Sequence, residues 1–415
     1  MERFLKEGNL YLSMEEKIFS SILTVSVRIA EKSRVDLLRE LSKGILKGIS
    51  KMEKGVFIIT GVRGSGKTTI LAMLYEKEKN ALFINAEMIL RYGVSLLDFL
   101  HYAYAKGYKT FLIDEIHVLP DWEKDVKIFF DETREKIVVS GSSAIALRVK
   151  GSELSRRATF YETKPLSFRE YLIFRTGRRL PEISIGDITN TKKRKELEKL
   201  IVPYLNYFSS YSQFDALPAA FFEKNKDVYI NIVERTIRYD LASLREIDAH
   251  YVDSVFRAVK VIATSSPGEL SYSGLASSLG IGLKLTREII NSLAQTGILY
   301  KVPPHGKGKR AVRKEEKILM PLSFRSALCG HYGVTPPKGS LREDFFVQHT
   351  GSCSYLKTGI KRRTPDFVVD NYIFEVGGPS KGYEQIKHME KAFLVKEAIP
   401  LGKKEIPLYL FGLLY

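Results

Sequence analysis

Short apolar runs alternate with longer stretches of helical spacing over residues 51–175. An apolar run that faces a core on both sides is typical of a strand in a parallel sheet, and the intervening stretches have the spacing of covering helices. The five predicted strands occupy residues 56–60, 81–85, 110–114, 137–140 and 159–163. The pattern therefore predicts an α/β fold built on a parallel sheet.

The turn after the first predicted strand has the spacing of a phosphate-binding P-loop. Residues 61–68 are Gly-Val-Arg-Gly-Ser-Gly-Lys-Thr, which fits G-x-x-x-x-G-K-[ST] between a strand and a helix. The glycines permit positive φ, so backbone N–H groups can turn toward an anion at the start of the helix. We expect Lys67 to contact the β- and γ-phosphates of a nucleotide and the Thr68 hydroxyl to bind Mg²⁺.

Two carboxylates end the third predicted strand, as in the Walker B motif. Asp114 is expected to hold Mg²⁺, and Glu115, on the other side of the pleat, to polarise the attacking water. Hydroxyl side chains follow the fourth strand, at a place similar to that where P-loop ATPases of this type keep a polar residue that senses the γ-phosphate, and this resemblance implies that role for Ser142. The candidate nucleotide-binding residues are Gly61, Arg63, Gly64, Ser65, Gly66, Lys67, Thr68, Thr69 and Ser142.

Three segments of the chain resemble a group of AAA-type ATPases common in archaea and bacteria. They are Asp-Glu-Ile-His-Val-Leu-Pro-Asp-Trp-Glu at 114–123, Ser-Gly-Ser-Ser at 140–143 and Pro-Leu-Ser-Phe-Arg-Glu-Tyr-Leu at 165–172. The likeness is strong from about residue 50 to 175 and looser elsewhere. It implies an arginine finger just before the last core strand, at Arg156 or Arg157, donated to a neighbouring subunit. A solvated basic turn is the alternative interpretation.

The pattern along the chain and the same resemblance together divide it into five segments. They are an N-terminal helical segment (1–50), a P-loop ATPase core (51–175), a helical lid or linker (176–255), a winged helix (256–330) and a restriction-nuclease-like domain (331–415). ATP is favoured over GTP, because the sequence Asn-Lys-Asp-Val at 225–228 lacks the aspartate in fourth position that reads guanine.

The predicted winged helix places polar residues at spacings that suit a nucleic-acid groove. Its second helix is predicted at 284–295, where Lys284, Arg287 and Asn291 share one face. A turn after the following strand contains Lys307, Lys309 and Arg310, which resemble a wing tip directed at phosphates. Packing of this module against protein is the alternative to DNA contact.

Acidic residues near the C-terminus resemble the metal site of restriction-type nucleases. If Asp370 and Asn371 form a hairpin turn, Asp366 faces Glu375 across the two strands. Glu343 matches the acid on the first helix of that fold, but Gly377 stands where the lysine is expected. Lys381 is the candidate substitute. A Mg²⁺ nuclease and a degenerate, non-cutting copy both stay open; in the second, a buried cation or shared proton relieves the facing charges.

Composition extends these expectations to partners and location. The 415 residues are 44% hydrophobic and 27% charged, which is typical of a globular chain of several domains. A net charge of +17 indicates a polyanionic partner, most simply DNA. Two cysteines cannot form a disulfide framework, and no apolar run is long enough to span a bilayer, so a cytoplasmic protein without membrane contact is expected.

Taken together, the sequence predicts a DNA-associated ATPase that uses ATP and Mg²⁺ to remodel or move along nucleic acid, as a homo-oligomeric ring. The alternatives are a nucleotide-controlled oligomerisation switch in signalling or defence, and an ATP-gated, metal-dependent nuclease.

Overall fold

The structure, a computed structural model, describes residues 14–36, 38–141, 154, 156–225, 227–241, 248–266, 270–306, 315–356, 365–399 and 402–415. The chain divides into two compact units, residues 1–164 and residues 165–415. Among the described residues, no helix has the length and apolar character needed to cross a membrane.

The first unit contains a five-stranded, all-parallel sheet. The strands are β1 (Gly55–Gly61), β2 (Ala81–Asn85), β3 (Thr110–Asp114), β4 (Lys136–Ser140) and β5 (Ala158–Thr163). Their order across the sheet is β2-β3-β4-β1-β5. The helices are α1 (Glu16–Lys32), α2 (Glu40–Ser50), α3 (Lys67–Lys77), α4 (Ala86–Tyr92), α5 (Leu96–Ala105) and α6 (Trp122–Thr133).

Alternate side chains of these strands enter two separate cores, one on each face of the sheet. Val56 and Ile58 of β1 pack on one face with residues of α1, α5 and α6. Phe57 and Ile59 pack on the other face with residues of α2 and α3. Burial on both faces explains why the strands are continuous apolar runs, and it confirms the predicted α/β class.

The second unit begins with helices. They are α7 (Phe168–Thr176), α8 (Ile185–Thr189), α9 (Thr191–Ile201), α10 (Pro218–Glu223), α11 (Val228–Arg235), α12 (Ala249–Thr264), α13 (Tyr272–Leu279) and α14 (Leu283–Gln295). An antiparallel pair, β6 (Tyr300–Val302) and β7 (Lys317–Leu319), then precedes α15 (Leu322–His331) and α16 (Lys338–Thr350).

A mixed five-stranded sheet completes this unit. Its strands are β8 (Ser354–Tyr355), β9 (Phe367–Val369), β10 (Tyr372–Gly377), β11 (Ala392–Lys396) and β12 (Glu405–Pro407), in the order β12-β11-β10-β9-β8. Aromatic residues of α16, β9 and β10 share one core with Phe168 and Tyr171 of α7. The helix α7 thus belongs to the second unit, and the five-segment division of the chain stays a prediction.

Candidate functional site

The carboxyl ends of β1, β3 and β4 meet at one edge of the parallel sheet, where ligands of open α/β sheets bind. The P-loop connects β1 to α3 at this edge. Gly61, Gly64 and Gly66 have φ values of 147°, 76° and 96°, which glycine adopts without steric cost. A Cβ atom on Gly61 would overlap the hydroxyl and carbonyl oxygens of Thr163, so the close approach of β5 also requires glycine here.

Buried polar groups fix the backbone of the P-loop. The Ser65 hydroxyl lies 2.7 Å from the carbonyl oxygen of Val62 and 2.6 Å from Oγ1 of Thr163. Arg39, which precedes α2, donates from Nη1 to the carbonyl oxygens of Ser65 (3.3 Å) and Lys164 (2.6 Å). The loop is therefore held both from β5 and from the segment before α2.

Two side chains donate hydrogen bonds to the carboxylate at the end of β3, and a buried lysine lies nearby. Thr68 Oγ1 donates to Asp114 Oδ2 over 2.8 Å, and Ser140, the last residue of β4, donates to Asp114 Oδ1. Lys67 is buried, and its ammonium donates to the carbonyl oxygens of Gly61 (2.9 Å) and Val62 (3.1 Å). The sequence places Thr68 and Asp114 46 residues apart, and the fold brings them into direct contact.

Burial raises the pKa of Asp114 to about 6, and the neighbouring charge of Glu115 adds to the rise. The hydrogen bonds from Ser140 and Thr68, together with the charge of Lys67, act in the opposite direction. A divalent cation would stabilise the ionised form of this buried carboxylate, because the charge of the ion would offset the cost of burying the negative charge.

The side chains of Arg63 and His117 lie against Glu115 beside the P-loop. The backbone of Glu115 is left-handed, with φ 54° and ψ 35°, a conformation that non-glycine residues adopt sparingly. One carboxylate oxygen lies 3.8 Å from Arg63 Nη1, and the other lies 3.4 Å from His117 Nδ1. The side chain is 18% exposed, so water can reach this carboxylate at the site.

These residues fit a nucleotide phosphate with Mg²⁺. Mg²⁺ takes hard oxygen ligands and is held in proteins by one or two carboxylates together with substrate phosphates. Asp114 and Thr68 supply a carboxylate and a hydroxyl next to the loop, and Lys67 supplies a positive charge. Thr69 follows in the first turn of α3, whereas Ser142 lies outside the described residues.

Both candidate finger arginines lie just before β5, at the amino-terminal ends of the strands. The P-loop lies at the opposite, carboxyl-terminal ends. Ala158, next to Arg157, pairs with Val56, whereas Gly61 of the P-loop pairs with Thr163. Five strand residues at roughly 3.3 Å each separate these two levels, about 16 Å. Arg156 is exposed, and Arg157 Nε donates to Asp131 Oδ1 over 2.8 Å. Neither arginine is therefore placed to serve the nucleotide site of its own chain.

The structure contains the predicted pair of helices followed by a strand pair. Gly280, with φ 67°, ends α13, and Lys284, Arg287 and Asn291 are all exposed on α14. Asn291 Oδ1 accepts a hydrogen bond of 2.6 Å from Lys301 Nζ on β6. The predicted wing-tip residues Lys307, Lys309 and Arg310 lie outside the described residues.

The C-terminal acids lie in the predicted register. Tyr372 pairs with Val369 across β9 and β10, Asp370 and Asn371 have positive φ, and Asp366 Oδ2 accepts the Val376 N–H over 2.9 Å. Continuing the register outward places Asp366 next to Glu375.

Two lysines lie against these acids. Lys381 Nζ lies 2.6 Å from Glu375 Oε1, and its side chain fills the space where a Cβ at Gly377 would be. Lys317 of β7 contacts Glu343 and lies 3.7 Å from Asp366 Oδ1. Within the described ranges, no group of three or more His, Cys, Asp or Glu side chains is placed to hold a metal ion.

Sequence reasoning missed two residues that take part in these sites. Ser140 is the last residue of β4, which lies between β1 and β3 in the sheet. The local sequence pattern does not show this strand order. Lys317 follows a charged run and begins a short strand, so its position suggests only a solvated strand end.

Comparison with known proteins concerns two stretches of the chain. Residues 53–172 match a family model described as an AAA domain, and residues 217–321 match one described as a domain of unknown function. The first match supports a nucleotide-binding, AAA-type ATPase.

The chain is also similar to two uncharacterised proteins of Methanocaldococcus jannaschii. It is 27% identical to MJ1637 in an alignment 430 residues long, and this alignment covers 92% of this chain and 89% of that protein. It is 26% identical to MJ1544 over 205 residues, which cover 48% of this chain and 42% of that protein.

Proposed function

We propose that this chain hydrolyses ATP with Mg²⁺ and uses the cycle to remodel or move along DNA, as a homo-oligomeric ring. The convergence of Lys67, Thr68, Asp114 and Glu115 at one edge of the sheet supports the hydrolytic part most strongly. The DNA and ring parts depend on charge, on the exposed face of α14 and on the position of the candidate fingers.

Each polar residue of the site has a separate task in this proposal. The P-loop N–H groups and the Lys67 ammonium bind the phosphates and favour their negative charge. Thr68 and Asp114 hold Mg²⁺, which neutralises charge on the β- and γ-phosphates when bound. Ser140 keeps the Asp114 carboxylate oriented. Glu115 accepts a hydrogen bond from the attacking water and takes its proton as the terminal phosphoryl group leaves ADP.

The position of Arg156 and Arg157 supports a finger that acts between subunits. Since both lie about 16 Å from the P-loop level of their own chain, either of them would reach a transferring phosphoryl group only in the site of a neighbouring subunit. Arg157 is already paired with Asp131, so Arg156 is the favoured finger.

An Arg156→Ala variant is expected to bind ATP normally and to hydrolyse it at least about a thousandfold more slowly, the lower end of the effect of an arginine finger. Mixing it with Glu115→Gln should restore part of the activity, because some interfaces then combine an intact arginine with an intact Glu115. Arg157→Ala, on the neighbouring position, is the matched control. Lack of restored phosphate release, with both variants shown to co-assemble, would contradict a shared site.

The exposed face of α14 supports the DNA part of the proposal. Lys284 and Arg287 are three residues apart on one helical face, and the net charge of the chain is +17. Cations on a helix that follows a tight turn suit contacts with DNA phosphates and base edges.

Replacing Lys284 and Arg287 together by Ala is expected to weaken DNA binding and to reduce its dependence on salt by up to about two ion-release units. Neutralising Lys307, Lys309 and Arg310 should act in the same direction, with up to about three units. Lys195→Ala, an exposed lysine on α9, is the control. Fluorescence anisotropy at several salt concentrations measures both quantities; an unchanged affinity and slope in both variants would argue against this surface.

A nucleotide-controlled oligomerisation switch is the rival from another class, and the affinity for DNA distinguishes the two. In the proposed function, Glu115→Gln saturated with ATP should bind DNA differently from the nucleotide-free chain. In the rival, ATP changes the assembly state measured by light scattering, and the affinity for DNA does not depend on nucleotide.

A further inference from the structure

The carboxylates of the second unit surround a buried ammonium group. Lys317 lies on β7, Glu343 lies on α16, and Asp366 directly precedes β9. Three separate parts of the fold therefore supply the cluster. The Lys317 side chain is 15% exposed; it contacts Glu343 and lies 3.7 Å from Asp366 Oδ1. Its ammonium also lies over the ring of Phe367, 4.7 Å from the centroid.

Glu375 completes this cluster from β10. Its side chain is 2% exposed, with Oε1 paired to Lys381, while Oε2 is buried and has no hydrogen-bond partner among the described residues. Within the part of the chain that the structure describes, three carboxylates, from Glu343, Asp366 and Glu375, thus stand against two ammonium groups.

Among the described side chains, this count leaves the cluster with one positive charge too few. Burial raises the pKa of Glu343 and of Glu375 to about 7, and repulsion from Asp366 adds to both shifts. Burial acts to lower the pKa of Lys317, but the attraction of Glu343 and Asp366 outweighs it, so that the pKa lies above its ordinary value. The charged form of Lys317 is thus favoured by the same carboxylates that it contacts.

We propose that the Lys317 ammonium occupies the place of a divalent cation, and that Glu343, Asp366 and Glu375 form a latent metal site which opens when this ammonium is removed. The donors are carboxylate oxygens, which favour Mg²⁺ and Mn²⁺. A metal ion entering the native cluster would leave Lys317 buried beside a second positive charge, and this repulsion excludes it. The hairpin strand β7, through Lys317, takes over the role that a metal has in joining helix and sheet carboxylates.

Binding of Mn²⁺ to the full chain without nucleotide tests this proposal. The Lys317→Met variant is expected to bind one more Mn²⁺ than the wild type. Its affinity for Mn²⁺ at the cluster should be at least about tenfold higher than that of the wild type. Electron paramagnetic resonance or calorimetry measures both quantities. Adding Asp366→Asn to Lys317→Met should abolish the gain. Lys301→Met is the matched control, since Lys301 lies on the adjacent strand β6 and pairs with Glu316 at 2.9 Å, outside the cluster.

Two results would overturn the proposal. The first is a folded Lys317→Met chain, by circular dichroism and a cooperative unfolding transition, that binds no additional Mn²⁺. The second concerns the native residues and applies even if Lys317→Met does not fold. Wild type and the single variant Asp366→Asn should bind Mn²⁺ equally, because Lys317 already fills the cluster. Loss of a bound Mn²⁺ on Asp366→Asn would show that the native carboxylates hold a metal.

Discussion

The Glu115→Gln chain is expected to bind ATP as tightly as the wild type and to hydrolyse it about two to four orders of magnitude more slowly. Glutamine has nearly the same shape, so the contacts of the P-loop with the phosphates persist. The amide of glutamine cannot take a proton from the attacking water. The substitution is therefore expected to slow the hydrolytic step and to leave ATP binding in place. Phosphate release under saturating ATP measures the rate, and a fluorescent ATP analogue measures binding.

Glu87→Gln, a change of an exposed glutamate on α4 of the same unit, serves as the control for Glu115→Gln and should leave both quantities unchanged. Hydrolysis by Glu115→Gln at the wild-type rate would show that another group activates the water, and the proposed role of Glu115 would then be wrong.

The Lys67→Ala chain is expected to bind ATP at least about a hundredfold more weakly. The lost ammonium provides charge-assisted hydrogen bonds, and two such bonds at roughly 1.5–3 kcal/mol each exceed the energy of a hundredfold change in affinity. Lys77→Ala is the matched control, because Lys77 is exposed at the last turn of the same helix.

Folding must be checked in Lys67→Ala, since the buried ammonium also bonds to the carbonyl oxygens of Gly61 and Val62. An unchanged thermal transition together with lost ATP binding supports the proposed role. Unchanged ATP affinity in the folded variant would exclude the P-loop as the nucleotide site.

The first unit could be predicted from sequence because its strands are buried on both faces. Each strand is then a continuous apolar run, and all five predicted strands agree with the structure to within one or two residues. Strand order could not be predicted in this way. Nothing in the local pattern shows that β4 lies between β1 and β3, and the contact of Ser140 with Asp114 depends on that order.

The carboxylate cluster shows a similar division. The register of β9 and β10 follows from the two-residue turn at Asp370 and Asn371, so the approach of Asp366 to Glu375 could be predicted. Lys317 is separated from Asp366 by 49 residues and comes from a different strand pair. On electrostatic grounds, sequence reasoning could require a metal, a proton or a nearby cation beside the facing acids, but it could not identify Lys317 as the residue in contact.

Steady-state ATP hydrolysis by the wild type, with Mg²⁺ and with or without single-stranded, duplex or branched DNA, tests the proposed function most directly. We expect hydrolysis that needs Mg²⁺, is lost in Lys67→Ala and increases when DNA is added. The increase should be smaller in the variant with Ala at 284 and 287, whose nucleotide site is unchanged. Hydrolysis that no form of DNA alters would contradict a DNA-coupled ATPase and favour the oligomerisation switch.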